Sequence, residues 1–143
     1  MEPRFLPLGT GASITVMGIR HRLLLTGAET GGAYALLKLS IPPGVGLPAH
    51  VHANEDEVFH IVEGSAEVRI GDERFDARAG ATIVGPRGVP HGYTATSKDA
   101  CRMLVVVTPA GFERFFGELP AAKRNDKDVV GALAGRYGIS FVP

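Results

Sequence analysis

Apolar and polar residues alternate with a period of two along most of the chain, the repeat of a half-buried β-strand. The clearest segment is Ala33–Ile41, in which Ala35, Leu37, Leu39 and Ile41 oppose Tyr34, Leu36 and Lys38, so the odd-numbered positions form the apolar face. Pro42-Pro43-Gly44 ends it, because proline cannot donate to a central ladder. Val58–Val62 reads as a strand. Gly64 turns the chain into Ala66–Ile70, where Ala66, Val68 and Ile70 alternate with Glu67 and Arg69. Gly71-Asp72 is a two-residue hairpin signal that returns the chain through Glu73–Ala77. Further strands are predicted at Ser13–Met17, Arg20–Leu25, Ala81–Val84, His91–Thr96 and Arg102–Thr108, with a loop at 26–32. Some eight to ten short strands at regular spacing predict an all-β sandwich or barrel.

After Thr108-Pro109 the period changes. Phe112, Phe115, Phe116 and Leu119 fall at helical spacing within Gly111–Leu119, predicting an amphipathic helix that covers one end or face of the sheets. That aromatic stripe is expected to pack on the core, close a barrel mouth or join a dimer contact. Asp126 is placed to cap a final helix through about Arg136, with Val129, Val130, Leu133 and Tyr137 on its apolar side and Gly138 at C′. Ile139–Val142 then reads as a short edge strand or a tail packed on a neighbour.

Bulk composition narrows the function classes. At 143 residues, with 45% hydrophobic and 21% charged residues, the chain suits one globular domain. Zero formal net charge gives no basic face for nucleic acid or an anionic membrane. The single cysteine, Cys101, excludes an intramolecular disulfide and a cysteine zinc cage, and is expected to be a buried, inert thiol. Met1–Phe5 lacks the apolar core of a signal peptide, and no apolar run approaches the roughly 18 residues of a membrane span. A cytoplasmic location is the expectation.

The chemistry concentrates between Gly44 and Gly64. His50 and His52 stand two residues apart, so in an extended strand both imidazoles point to one side. Three acidic residues follow at Glu55, Asp56 and Glu57. Glu57 shares parity with Phe59 and Ile61, which places it inward; Glu55 and Asp56 are expected to be solvated. His91, after the turn G-P-R-G-V-P, is a further donor, while His60 has the opposite parity and His21 is expected to be structural or exposed. Three imidazoles and a carboxylate suit one divalent transition metal ion (iron, nickel, manganese, zinc, cobalt or copper) with positions left for substrate or O₂. Tyr93 shares parity with His91 and is expected to offer its hydroxyl to a substrate or metal-bound water. Phe59, Ile61 and Val84 are expected to line the pocket or core.

These residues fall into a known pattern. Gly44, five residues, His50-Val51-His52, four residues, Glu57, six residues, Gly64 resembles the first cupin motif at each fixed position. Gly80, five residues, Pro86-Arg87-Gly88, two residues, His91 resembles the second, with Ala95 where asparagine is frequent. The segments E-D-E-V-F-H-I-V-E-G, P-R-G-V-P-H-G-Y, T-P-A-G-F-E-R-F-F and R-Y-G-I-S-F extend the resemblance over about residues 20 to 141, toward small bacterial quercetin 2,3-dioxygenase-like cupins. The resemblance implies a double-stranded β-helix (a jelly-roll barrel) over about 12–109 with a helical extension over 110–143, all one domain. It implies metal ligation by His50, His52, Glu57 and His91, and a homodimer. The expected activity is a metal-dependent, quercetinase-like dioxygenase acting on a small aromatic or enolic substrate, with Glu57 and Tyr93 as catalytic groups. A metal-dependent isomerase or lyase and a non-catalytic binding cupin are the alternatives.

Overall fold

A computed structural model describes residues 1–143. Eleven strands form two antiparallel sheets. They are β1 (Ser13–Val16), β2 (Ile19–Leu25), β3 (Ala35–Ile41), β4 (Gly46–His52), β5 (Asp56–Glu63), β6 (Ser65–Ile70), β7 (Glu73–Arg78), β8 (Thr82–Gly85), β9 (His91–Ala95), β10 (Cys101–Thr108) and β11 (Ile139–Phe141). One sheet has the order β1-β2-β3-β10-β5-β8 and the other β11-β4-β9-β6-β7. From β3 onward the chain passes to the other sheet at each step except the β6–β7 hairpin, and the two inner faces share one hydrophobic core.

Period-two patterning explains which side chains fill that core. On β3 the buried positions are Ala35, Leu37, Leu39 and Ile41, and on β10 they are Cys101, Met103, Val105 and Val107. The register pairs Leu39 with Met103 and Leu37 with Val105, so these side chains meet on the interior face. Burial of one such aliphatic side chain contributes about 1.5–3 kcal/mol. Gly64 turns β5 into β6 with φ of 81°, and a Cβ there would stand 2.6 Å from Ser97 Oγ, so only glycine fits.

Three expectations need correction. The segment 26–32 is not all loop: Gly27–Thr30 forms a one-turn helix (α1), whose N-cap Thr26 and Glu29 make a reciprocal capping box. The aromatic helix is shorter than its periodicity suggested, spanning Arg114–Glu118 (α2), although Phe115, Phe116 and Leu119 are buried as expected. Val84 lies outside both pocket and core. It is 54% exposed, because the register Phe59↔Ile83 puts Ile83 on the inner face of β8 and turns Val84 outward.

The last helix, Lys127–Arg136 (α3), is capped by the Asp126 carboxylate, which accepts from the N–H groups of Asp128 and Val129. Its Val130 and Ala134 are buried, and Gly138 follows with φ of 77°. The chain then adds β11 to the edge of β4. No helix is long and apolar enough to cross a membrane.

Candidate metal centre

Three strands bring the chemistry together. β4 carries His50 and His52 on its inner face, β5 carries Glu57 as its second residue, and β9 begins with His91, which pairs with His50 across the ladder. His50, His52, Glu57 and His91 each offer a ligand atom, and these atoms all lie within 4.8 Å of one another. All four residues are buried, at 2%, 2%, 4% and 1% exposure. Gly85 lies opposite Glu57 in the β5–β8 ladder, and a Cβ on it would approach His91 Nδ1 to 3.0 Å. The missing side chain leaves room for the imidazole.

Hydrogen bonds fix how each ring presents itself. His50 Nδ1 donates to the Pro48 carbonyl at 2.9 Å, and His91 Nδ1 donates to the Val89 carbonyl at 3.1 Å. His52 Nδ1 donates to the Glu55 carboxylate at 3.1 Å. A neutral imidazole has one N–H and one lone pair, so engaging Nδ1 in each ring leaves Nε2 as the lone-pair donor. The Glu57 Oε2 atom stands 2.7 Å from His91 Nε2 and 3.3 Å from His52 Nε2. Lone pairs facing one another at these distances repel unless a proton or a metal ion lies among them. The donor set therefore fits a divalent cation, held by His50, His52, Glu57 and His91 with Nε2 and carboxylate atoms.

The electrostatics show the same demand. Burial lowers the His50 pKa to about 4, against the opposing pull of Glu57, so this ring is neutral at pH 7. Burial also disfavours charge on Glu57, but the His91 hydrogen bond and the three imidazoles outweigh it and hold the carboxyl below its ordinary value. His91 is desolvated too, and its hydrogen bond to Glu57 outweighs this to raise its pKa. In the absence of a metal, His91 is the group best placed to carry the missing positive charge.

The centre lies on the wall of a cavity of about 440 Å³, and 17 of its 24 lining residues are hydrophobic. That composition favours an apolar ligand with few polar groups. Phe59 and Tyr93 line the cavity, with ring centroids 5.8 Å apart. Burial raises the Tyr93 pKa, so its hydroxyl stays protonated. Ile61 is fully buried in the core and does not reach the cavity wall. His60 is exposed and bonds Thr82 Oγ1 at 3.0 Å.

Glu55 departs from expectation. It is 5% exposed instead of solvated, because the turn after β4 folds it back onto His52. Asp56 stays at the surface, where it receives the Arg87 guanidinium and backbone N–H, which hold its carboxyl down at about 2. His21, read from the sequence as structural or exposed, faces the cavity. Phe112 also lines it, packing edge-on against His52 at 5.3 Å.

The cupin domain model matches residues 37–107. The chain is a small cupin. Its two sheets are the jelly-roll barrel of that family, with helices appended at the C-terminal side. The chain is similar to the polyketide synthase CurC of Streptomyces cyaneus, with 29% identity over 89 residues, covering 62% of this chain and 58% of the relative. It is also 29% identical over 75 residues to the quercetin 2,3-dioxygenase of Bacillus subtilis, covering 52% of this chain and 22% of that protein. The chain thus spans little more than half of one curated relative and under a quarter of the other. Among solved structures, the polyketide cyclase RemF from Streptomyces resistomycificus superposes with a TM-score of 0.62 at 25% identity, over 76% of this cupin and 80% of that chain.

Proposed function

We propose that this cupin is a metal-dependent oxygenase acting on a small aromatic or enolic compound. The observation that carries the reading is the convergence of three Nδ1-anchored imidazoles and one carboxylate on an apolar cavity. A bound divalent transition metal supplies Lewis acidity toward a substrate oxygen and, where it is redox-active, reactivity toward O₂. Glu57, held as a carboxylate, is a base within reach of a substrate hydroxyl proton at Oε2. Tyr93, held protonated, donates its hydroxyl hydrogen to a substrate oxygen. Phe59 and Phe112 shield the reacting atoms from water. Lys127 is the one cationic residue lining the cavity, and the mostly apolar lining disfavours a phosphorylated sugar.

The test is oxygen uptake with flavonols by protein loaded separately with iron, nickel, manganese or cobalt. Uptake that depends on both metal and flavonol supports the oxygenase. Its absence with every metal refutes it. Similarity to a polyketide synthase and a polyketide cyclase favours a second reading, in which the same donors promote isomerisation or ring closure without O₂. Conversion of an enolic polyketide mimic under anaerobic conditions distinguishes the two. The reading includes a homodimer, which light scattering on purified protein checks.

A further inference from the structure

Exposure locates the opening of the cavity. Of its 24 lining residues, Pro48, Lys127 and Phe141 are exposed and the rest are buried or half-buried. Pro48 stands two residues before His50 on β4, roughly 7 Å at the rise of a strand, so one small molecule can span from the opening to the metal donors. Besides the histidines, Glu57 and Lys127 are the two ionisable acidic or basic residues of the lining. Glu57 belongs to the donor set, which leaves Lys127 as the charge at the mouth.

Helix geometry aims Lys127 at that mouth. It is the first residue of α3, and Val130 and Ala134 follow at i+3 and i+7 on the same helix face, both buried and both lining the cavity. Helical side chains lean toward the N-terminus, so the Lys127 stem extends past the end of α3 and over the opening. The turn before α3 is tied to the barrel, because the Met17 N–H donates to the Arg124 carbonyl at 3.0 Å and Met17 also lines the cavity. Structural duties do not account for the charge. Lys127 takes part in none of the ion pairs of the chain. A cation in the first turn opposes the helix dipole, and the flanking Asp126 and Asp128 already supply the negative charge which that end favours. Neither aspartate lines the cavity, and the Asp126 carboxylate is engaged by the N–H groups of Asp128 and Val129.

We propose that Lys127 anchors a carboxylate at the mouth of the cavity, so that the ligand is an amphipathic monocarboxylic acid. Its apolar body lies against rings such as Phe59 and Phe112, and its acid group stays at the opening. The proposal rests on the reading of the cavity as a substrate site and names the class of substrate. A phosphate dianion fits less well, because its second charge finds no partner in the lining.

The experiment uses the full chain, zinc-loaded and zinc-free, since zinc binds without consuming O₂. The probes are 4′-carboxy-3-hydroxyflavone and its carboxamide, a matched anionic and neutral pair, titrated into the wild type, Lys127→Gln and Lys127→Arg. The wild type is expected to prefer the carboxylate about threefold to fivefold at low salt, the scale of a solvent-accessible ion pair. Lys127→Gln brings that ratio to about one without changing the carboxamide affinity or the zinc content, and Lys127→Arg retains it. Added salt weakens the preference. No preference in the wild type, or a preference that survives in Lys127→Gln, overturns the proposal. Zinc reports on the other end of the probe. If it tightens neither member, the reading of the metal end falls, while the carboxylate ratio still decides the anchor. If neither flavonol binds, 6-phenylhexanoate and 6-phenylhexanamide replace them. A preference for the hexanoate that is lost in Lys127→Gln upholds the anchor and sinks the flavonol reading, and no preference overturns the anchor as well.

Discussion

Glu55 is the most informative residue to perturb, because it touches no substrate and is not one of the four converging donors. Its carboxylate accepts the Nδ1 proton of His52 at 3.1 Å, with both groups nearly sealed from solvent. This contact fixes the tautomer that frees Nε2 and holds the orientation of the ring. Loss of such an outer partner typically weakens metal affinity by about 10- to 100-fold, or about 1.4–2.7 kcal/mol. Glu55→Ala is expected to show the larger effect, since it also strands a buried N–H. Glu55→Gln keeps an acceptor oxygen and loses only the charge, so its effect should be smaller. At saturating metal the affinity loss carries into stability, a fall of about 4 to 10 °C in the melting temperature of the loaded protein. The stranded donor also destabilises the metal-free form by about 1–3 kcal/mol. Melting alone therefore confounds the two effects, and the deciding assay is chelator competition for zinc, with circular dichroism to confirm folding. A folded Glu55→Ala protein whose zinc affinity lies within twofold of the wild type would falsify the outer-partner role.

Removing two imidazoles at once, in His50→Ala/His52→Ala, should abolish the metal found in protein purified without added metal; equal metal content by elemental analysis rules out the site. In chelator-stripped protein, His50 has a folded pKa depressed from 6.5 to about 4, so the unfolded chain takes up the proton first as pH falls. Its contribution of about 3 kcal/mol is present above pH 6.5 and lost between 6.5 and 4. His91, with a raised pKa, acts in the opposite sense, losing its contribution as pH rises through its folded value. A urea midpoint as high at pH 4.5 as at pH 7 would contradict the burial argument. Gly46→Ala would place a Cβ 2.2 Å from the Tyr93 carbonyl oxygen, separating β4 from β9 at a cost of about 1–3 kcal/mol, whereas Gly117→Ala on α2 meets nothing and should be neutral or stabilising by under about 1 kcal/mol. Ile61→Ala should cost about 2–5 kcal/mol and Val84→Ala within about 0.5, and similar losses for both would show that β8 is misregistered.

Much of this architecture was legible because β3, β5 and β6 alternate cleanly enough to fix a face. Val84 was not legible. In Thr82–Gly85 two adjacent aliphatics leave the parity open, and a slip of one residue exchanges every inward and outward side chain. Only pairing of Ile83 with Phe59 on β5 resolves it. Glu55 was lost in a run of three acids that locally resembles a solvated loop; the usable signal was chemical, since a ligating imidazole needs a partner for its second nitrogen. His21 did carry a local signal: Ile19, His21 and Leu23 alternate with Arg20 and Arg22, which places the histidine inward. The one-turn helix α1 was announced by Thr26-Gly27-Ala28-Glu29, the spacing of a capping box.

The C-terminal segment belongs to the metal centre as much as to the fold. Without β11, strand β4 would be the open edge of its sheet, with His50 and His52 on a strand paired on one side only. β11 closes that edge, pairing Ile139 with His52 and Phe141 with His50. The Ala53 N–H donates to the Gly138 carbonyl, and the Val142 N–H donates to the Ala49 carbonyl, so the ladder brackets both histidines. Aromatic rings from the same part of the chain press on the imidazoles, Phe141 on His50 at 5.9 Å and Phe112 on His52 at 5.3 Å. Strand edges fray more readily than strand centres, and ligand atoms must be held to a fraction of an ångström. The segment 109–138, which contains both α2 and α3, thus serves as the crossing that returns β11 to the one strand whose rigidity the four-donor cluster requires.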